Sequence, residues 1–239
     1  LGDVYKRQVN TSARMIPVAA VTMTLVLGLS ACSVLPKAAP MVTYKLPDYH
    51  IAQAESTPRA VPGPGALRVY APESSRVLDS ERLFIAQPDG RLSAWQGVRW
   101  ADPAPVLLRD RIVEAFMRDG RSTSVITDST PMSADMELRS TLRAFQLEYR
   151  GTEAIAAVRL DVQLVDPAKR TAIASRRFEA IQATGSKREA DVVSAFGVAT
   201  DILAGQIVEW AVQVGAARLR VAPELASNHA PTASSISTD

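Results

Sequence analysis

The 239-residue sequence holds one cysteine and two histidines, and only 5% of it is aromatic. One cysteine excludes an intrachain disulfide framework and a cysteine-rich zinc site. The histidines, His50 and His229, fall beside a Pro/Gly-rich stretch and in a Ser/Thr-rich C-terminal stretch. Neither place suits a folded catalytic site, so Ser–His and Cys–His nucleophilic catalysis are not expected. No cluster with metal-ligand spacing occurs, and no Gly-rich phosphate loop is followed by Lys. The sequence therefore offers no catalytic residue, no cofactor site and no metal ligand. A strong charge of either sign is missing too, with 27 Lys and Arg against 25 Asp and Glu. Lys6, Arg7, Arg14 and Asp3 precede Cys32, which leaves 24 charges of each sign from Cys32 onward. That balance excludes a nucleic-acid footprint. What is present is 47% hydrophobic residues, enough for an aliphatic core.

Met15 to Ala31 is a continuous, weakly polar run preceded by Lys6, Arg7 and Arg14. A positive stretch, a short apolar run and small residues before a cut site are the parts of a secretory signal. A transmembrane anchor is the competing reading. The run's 17 residues sit at the lower edge of what crosses a hydrocarbon core of about 30 Å. Ala19, Ala20, Thr22, Thr24, Gly28 and Ser30 weaken it further. The run ends Leu29-Ser30-Ala31-Cys32, which resembles the lipobox of bacterial lipoproteins. The resemblance implies a diacylglyceryl group on the Cys32 thiol and cleavage before Cys32. Ser33 follows rather than Asp, which in the enteric-type sorting rule implies the outer membrane, on its periplasmic face. Leu1 to Gln8 opens without Met and reads as flanking sequence, so it is set aside from fold reasoning.

The expected organisation is a signal peptide over 1–31, a lipidated tether over 32–43, one domain over 44–221 and a disordered tail over 222–239. Within the domain, Tyr44 to Leu46 is read as opening a first strand, and 52–66 as a Pro/Gly/Ala-rich loop. Short strands are expected at Leu67–Ala71 and Leu83–Ala86, with a hairpin signal at Asp89-Gly90 and a return over 91–96. Asp102 is read as a helix cap, with Pro103 in the first helical position. Val106, Leu107, Leu108, Ile112, Val113 and Phe116 give that helix an apolar side, and Gly120 stops it. Ser124–Thr127, Met136–Arg150, the strand holding Val158 to Leu164, and Thr171–Gln182 follow. In Met136–Arg150 the apolar residues switch phase at Ala144–Phe145, which predicts a bulge.

The last helix is expected over 187–217. Ser186 and Glu189 have capping-box spacing. Val192, Phe196, Ala199, Leu203, Ile207, Trp210 and Val214 recur at helical spacing. Gly197 and Gly205 are read as points of close packing on a sheet. Gly197, Ala204 and Ala211 also form a small-residue face that a second element could approach. The fold class is one α/β domain, a mixed sheet packed by two main helices. Asp135 with Glu137 could serve a hydrolase, although a solvated strand face accounts for them more simply. Trp95 and Trp100 near Arg99 could stack on a ligand, although core packing is the simpler reading.

Several segments together carry a family resemblance: Tyr44-Lys45-Leu46, Leu67-Arg68-Val69-Tyr70-Ala71-Pro72, Leu78 to Leu83, and Leu138 to Phe145. The most specific is Val98-Arg99-Trp100-Ala101-Asp102-Pro103. The chain resembles the ABC-type transport auxiliary lipoproteins, the PqiC-like family, over about 29–215. Pro58 to Gly65 departs from the pattern. The resemblance implies a three-layer-type α/β domain like anticodon-binding domains. It implies partners: a periplasmic MCE-domain protein with an ABC permease and ATPase that move lipids between membranes. Some relatives form homo-oligomeric rings that receive the MCE tube. No ATPase motif is present, so the implied role is accessory and non-catalytic. Arg99, Trp100 and Pro103 are the motif residues, serving as a partner contact or as a dock for the first helix. The rival readings are an outer-membrane assembly lipoprotein for lipopolysaccharide or barrel proteins, and a lipid-anchored hydrolase.

Overall fold

The computed structural model describes residues 40–48 and 63–227. The export segment, Cys32, the tether as far as Ala39, His50 and residues 228–239 lie outside the described residues. The elements run β1 (Val42–Tyr44), β2 (Ala66–Val69), β3 (Arg82–Ala86), β4 (Leu92–Trp100), α1 (Ala104–Asp119), β5 (Ser124–Thr127), β6 (Met136–Arg150), β7 (Glu153–Asp166), β8 (Thr171–Ala183) and α2 (Glu189–Ser227). This is the α/β domain, with a mixed sheet and two main helices, that the sequence pattern implied. The first strand begins two residues earlier than expected, at Val42, because it aligns in parallel with Val98–Trp100.

β6 is the spine of the sheet. One of its edges serves two parallel partners in turn: β2 beside Met136–Leu138 and β3 beside Gln146–Leu147. Between them Glu73 bridges the gap, its N–H donating to the Ser140 carbonyl at 2.8 Å and its carbonyl accepting from Leu142 N–H at 2.7 Å. The other edge of β6 runs antiparallel to β7, and β7 antiparallel to β8. β5 flanks β2, β4 flanks β3 as a hairpin, and β1 flanks β4.

The register of β6 against β7 slips by one residue between Leu142 and Ala144, where the apolar phase changes. The extra residue lets Leu138 and Leu142 before it, and Phe145 and Leu147 after it, all face the core. They meet Val158, Leu160, Val162 and Leu164 of β7, which alternate without interruption. α1 and α2 pack on this face. The opposite face is polar, with Arg139, Thr141, Arg143, Asp161, Gln163 and Arg177 in neighbouring rows.

Helix ends differ from the expectation in three places. Pro103 occupies the cap of α1 itself, with no side-chain cap, and its carbonyl accepts from Val106 and Leu107 N–H. Asp102 is therefore not the cap, since the prolines at 103 and 105 set the turn instead. Ser186 and Glu189 do not form a capping box. Ser186 Oγ accepts from Arg188 N–H at 3.1 Å and donates to Asp191, while Glu189 accepts from the Tyr44 hydroxyl at 3.3 Å. α2 continues through Ser227, so 222–227 are helical rather than part of the expected tail. Ala216, Ala217, Leu219 and Ala222 are strong helix formers and carry it on. The C-terminus of α1 is as expected, with Gly120 at φ 71° donating to the Phe116 carbonyl.

Among the described residues, α2 is the one helix long and apolar enough to cross a membrane, over Glu189–Arg218. Of its most apolar window, 67% is buried inside the domain, which makes it a core helix.

Candidate functional site at the Arg99–Trp100–Pro103 corner

The motif sits where β4 hands over to α1. Alternation along β4 sends Val98 and Trp100 inward and Arg99 outward. Trp100 is 1% exposed. Its ring meets Phe145 of β6 edge-on at 5.5 Å and Phe196 of α2 at 5.3 Å, and those two rings lie 4.8 Å apart. Such aromatic pairs contribute about 0.5–1.5 kcal/mol each beyond their burial. Trp100 thus joins sheet and last helix, and a ligand cannot stack on it. Its Nε1 is buried without a hydrogen-bond partner among the described residues.

The backbone of the corner is held from both sides. Trp100 N–H donates to the Glu81 carbonyl at 2.6 Å, and Ala101 N–H to the Tyr44 carbonyl at 2.7 Å. Arg99 lies on the exposed face, donating from Nε to Thr43 Oγ1 at 2.9 Å and from a terminal nitrogen to Glu81 at 3.3 Å. It ties β1 and the β2–β3 connection to β4. Pro103 then starts α1. These contacts clasp β1, β4 and the start of α1 together, and Arg99 and Asp102 are the motif's exposed side chains. Trp95, on the same strand, is half-buried against the core.

A second constellation lies deeper and was not singled out from the sequence. Arg111 of α1 and Asp201 of α2 form an ion pair with side chains 5% and 3% exposed. Arg111 also donates to the Pro47 carbonyl and lies 3.9 Å from Glu114. The signal was available: a charge inside the apolar stripe between Leu108 and Ile112, and another in the run from Phe196 to Ala204.

The small-residue face of α2 is filled from within. Ala204 and Ala211 are fully buried, and Gly197 faces Pro47, whose ring carbons would stand 3.0 Å from an added Cβ. Gly197 therefore packs on the segment after β1 rather than on the sheet, and no second element is needed to cover it.

The carboxylates weighed for hydrolysis are engaged structurally. Asp135 accepts from Ala66 N–H at 2.8 Å, and Glu137 from the Tyr70 hydroxyl at 3.0 Å and from Arg139. Burial, then the bond to Glu137, pushes the Tyr70 hydroxyl above its ordinary pKa. On the polar face, Asp161 accepts from Arg177 and Arg143. These guanidinium bonds, Arg177 first, hold its carboxyl down at about 2. Glu148 is likewise lowered, chiefly by Arg159, whose own pKa is raised by the same bond. No group of three or more potential metal ligands occurs among the described residues.

These features define an α/β scaffold domain whose charged groups build structure. Residues 44–208 match the family described as the ABC-type transport auxiliary lipoprotein component, and the chain belongs to that family. That description is of an auxiliary lipoprotein component of ABC-type transport. A crystal structure of protein XCC0632 from Xanthomonas campestris is similar at 26% identity and TM-score 0.67, covering 75% of this chain and 99% of that one. Another solved structure, of an uncharacterized protein, has the same fold at 15% identity and TM-score 0.55, covering 71% of this chain and 97% of that one. A curated relative, an uncharacterized protein of Bradyrhizobium diazoefficiens, is 25% identical over 147 residues. That match takes in 62% of this chain but only 39% of the relative.

Proposed function

We propose that the chain is exported, cleaved before Cys32 and acylated there, and that it works at the periplasmic face of the outer membrane. In this reading it is an accessory subunit of an intermembrane lipid transport system. It binds a periplasmic MCE-domain protein served by an ABC permease and ATPase, and copies of it associate into a ring. The supporting observation is the family match over residues 44–208, with Leu29-Ser30-Ala31-Cys32 ending an apolar run just upstream. The boundaries follow: a signal over 1–31, a tether from Cys32 to 43, then the domain. Each buried methylene of an acyl chain contributes about 0.8 kcal/mol, and stable anchoring takes more than one chain. A multiply acylated Cys32 meets that requirement. The domain supplies binding surface and no chemistry.

Two measurements test this. Labelled palmitate is expected to enter the wild-type chain and not Cys32→Ala, which stays folded but leaves the membrane fraction or remains uncleaved. Affinity purification from membranes is expected to recover an MCE-domain protein with its permease and ATPase. Equal labelling of the two chains sinks the anchor. Recovery of barrel-assembly or lipopolysaccharide-transport proteins instead moves the chain to another system.

A further inference from the structure

We propose that the free edge of β8 pairs with the same edge of a second copy of this chain, the two strands running antiparallel about a two-fold axis at Phe178. Among the described residues, β1, β5 and β8 end the sheet. β1 and β5 are short, at 3 and 4 residues, whereas β8 runs for 13 and pairs with β7 along one side only. Such an edge offers a row of unpaired N–H and C=O groups to another strand. No proline interrupts β8, and its register against β7 is unbroken from Ala174 to Ala183.

The phase of the ladder fixes which backbone groups are free. Thr184 N–H donates to the Ala154 carbonyl, so Thr184 and every second residue before it turn their backbone groups toward β7. Ser175, Arg177, Glu179 and Ile181 therefore turn theirs outward. With Phe178 on the axis, Arg177 stands opposite the partner's Glu179, and Ser175 opposite the partner's Ile181. Both members of each pair have outward backbone groups and side chains on the same face, so the sheet continues across the junction in phase. Moving the axis by one residue sets Arg177 or Glu179 against its own copy, and like charges directly opposite destabilise a sheet.

The neighbouring charges fit that register. On the polar face Arg177 bonds Asp161, directly opposite on β7, and Glu179 accepts from Arg159, also directly opposite. The row across the junction then reads Asp161, Arg177, the partner's Glu179 and the partner's Arg159. Its signs alternate throughout, and no ion pair within either copy has to break. On the other face Phe178 is buried under Trp210 of α2, with ring centroids 5.5 Å apart. Arg176, exposed on that face, stands opposite the partner's Ala180. Ile202, Gln206 and Gln213, at helical spacing from Trp210, are exposed and carry no charge to oppose a second α2. The contact is isologous and closes at two copies, so it is separate from the ring proposed above.

The test uses the full chain with Cys32→Ala in mild detergent, which leaves introduced cysteines as the only thiols. Ser175→Cys and Ile181→Cys are made in separate copies, then mixed and oxidised. The mixture is expected to form a disulfide-linked pair several-fold more than either copy alone, because like positions stand about 20 Å apart by the strand rise. Arg177→Glu added to both copies sets acid against acid and is expected to remove the link. Arg177→Glu in one copy with Glu179→Arg in the other sets opposite charges at both positions and is expected to recover it, which also shows that the variants fold. A mixture that links no more than the separate copies overturns the proposal. Copies that co-sediment as a ring yet give no such link overturn it alone and leave the ring standing. A link that survives Arg177→Glu in both copies, or that the exchanged charges fail to recover, overturns it as well.

Discussion

Arg111 in α1 donates a charged hydrogen bond to Asp201 in α2, and the two side chains are almost wholly shut off from water. Arg111 reaches the Pro47 carbonyl with its other terminal nitrogen, so one guanidinium joins both helices and the segment after β1. Breaking a buried pair by removing one partner leaves an unpaired charge and costs about 3–5 kcal/mol. Asp201→Leu and Arg111→Met are each expected to lower stability by that order in urea unfolding. The double variant Arg111→Met with Asp201→Leu is expected to recover most of the loss, because desolvation of two charges disappears with them. Additive losses in the double variant would show that the pair is not the coupled unit described.

Trp100 bridges Phe145 and Phe196 with its indole N–H unpartnered. Trp100→Ala is expected to cost about 3–5 kcal/mol through the cavity it leaves. Trp100→Phe keeps an aromatic ring and removes a buried donor that otherwise costs about 1–3 kcal/mol. It is expected to lose less than half as much as Trp100→Ala. Thermal melts of the two variants check the order, and equal losses would mean that Nε1 is satisfied.

Gly215 lies inside α2, where replacement by alanine ordinarily gains about 1 kcal/mol of helix propensity. Here an added Cβ would stand 2.9 Å from Pro64 Cα, a backbone atom that cannot swing away. Gly215→Ala is therefore expected to destabilise despite the propensity gain. A rise in melting temperature would show that the 63–65 segment is not clamped against the helix.

Asp161 titrates at about 2 in the folded chain because Arg177 and Arg143 bond to its charged form. The unfolded value is about 3.9. A depressed folded pKa contributes stability that is full above the unfolded value and is lost as pH falls towards the folded one. The window is therefore from about pH 5 down to about pH 2. Solvent screens this exposed cluster, so the contribution is held to about 1 kcal/mol. Asp161→Asn is expected to flatten that part of the stability profile, and added salt to shrink the difference. An unchanged slope between pH 5 and 2 would rule out the contribution.

The strand and helix positions were legible in the sequence wherever side-chain periodicity carried them. The slip at Ala144–Phe145 announced the bulge, because a strand has two faces and only an extra residue can change them. The family was legible as a resemblance in several segments together, of which Val98 to Pro103 is the most specific. What could not be read were the relationships between distant residues. Nothing local in Ser186 and Glu189 shows that Tyr44 and Asp191 compete for them and undo the capping box. Nothing near Gly197 or Gly215 names Pro47 or Pro64 as the atoms that exclude a methyl group. Arg111 and Asp201 stand 90 residues apart and look like flaws in two apolar stripes until the helices cross. Periodicity is a property of the chain and determines which face each residue takes. Which face meets which, and which charge finds its partner, is a property of the packed sheet and helices, and tertiary structure alone decided it.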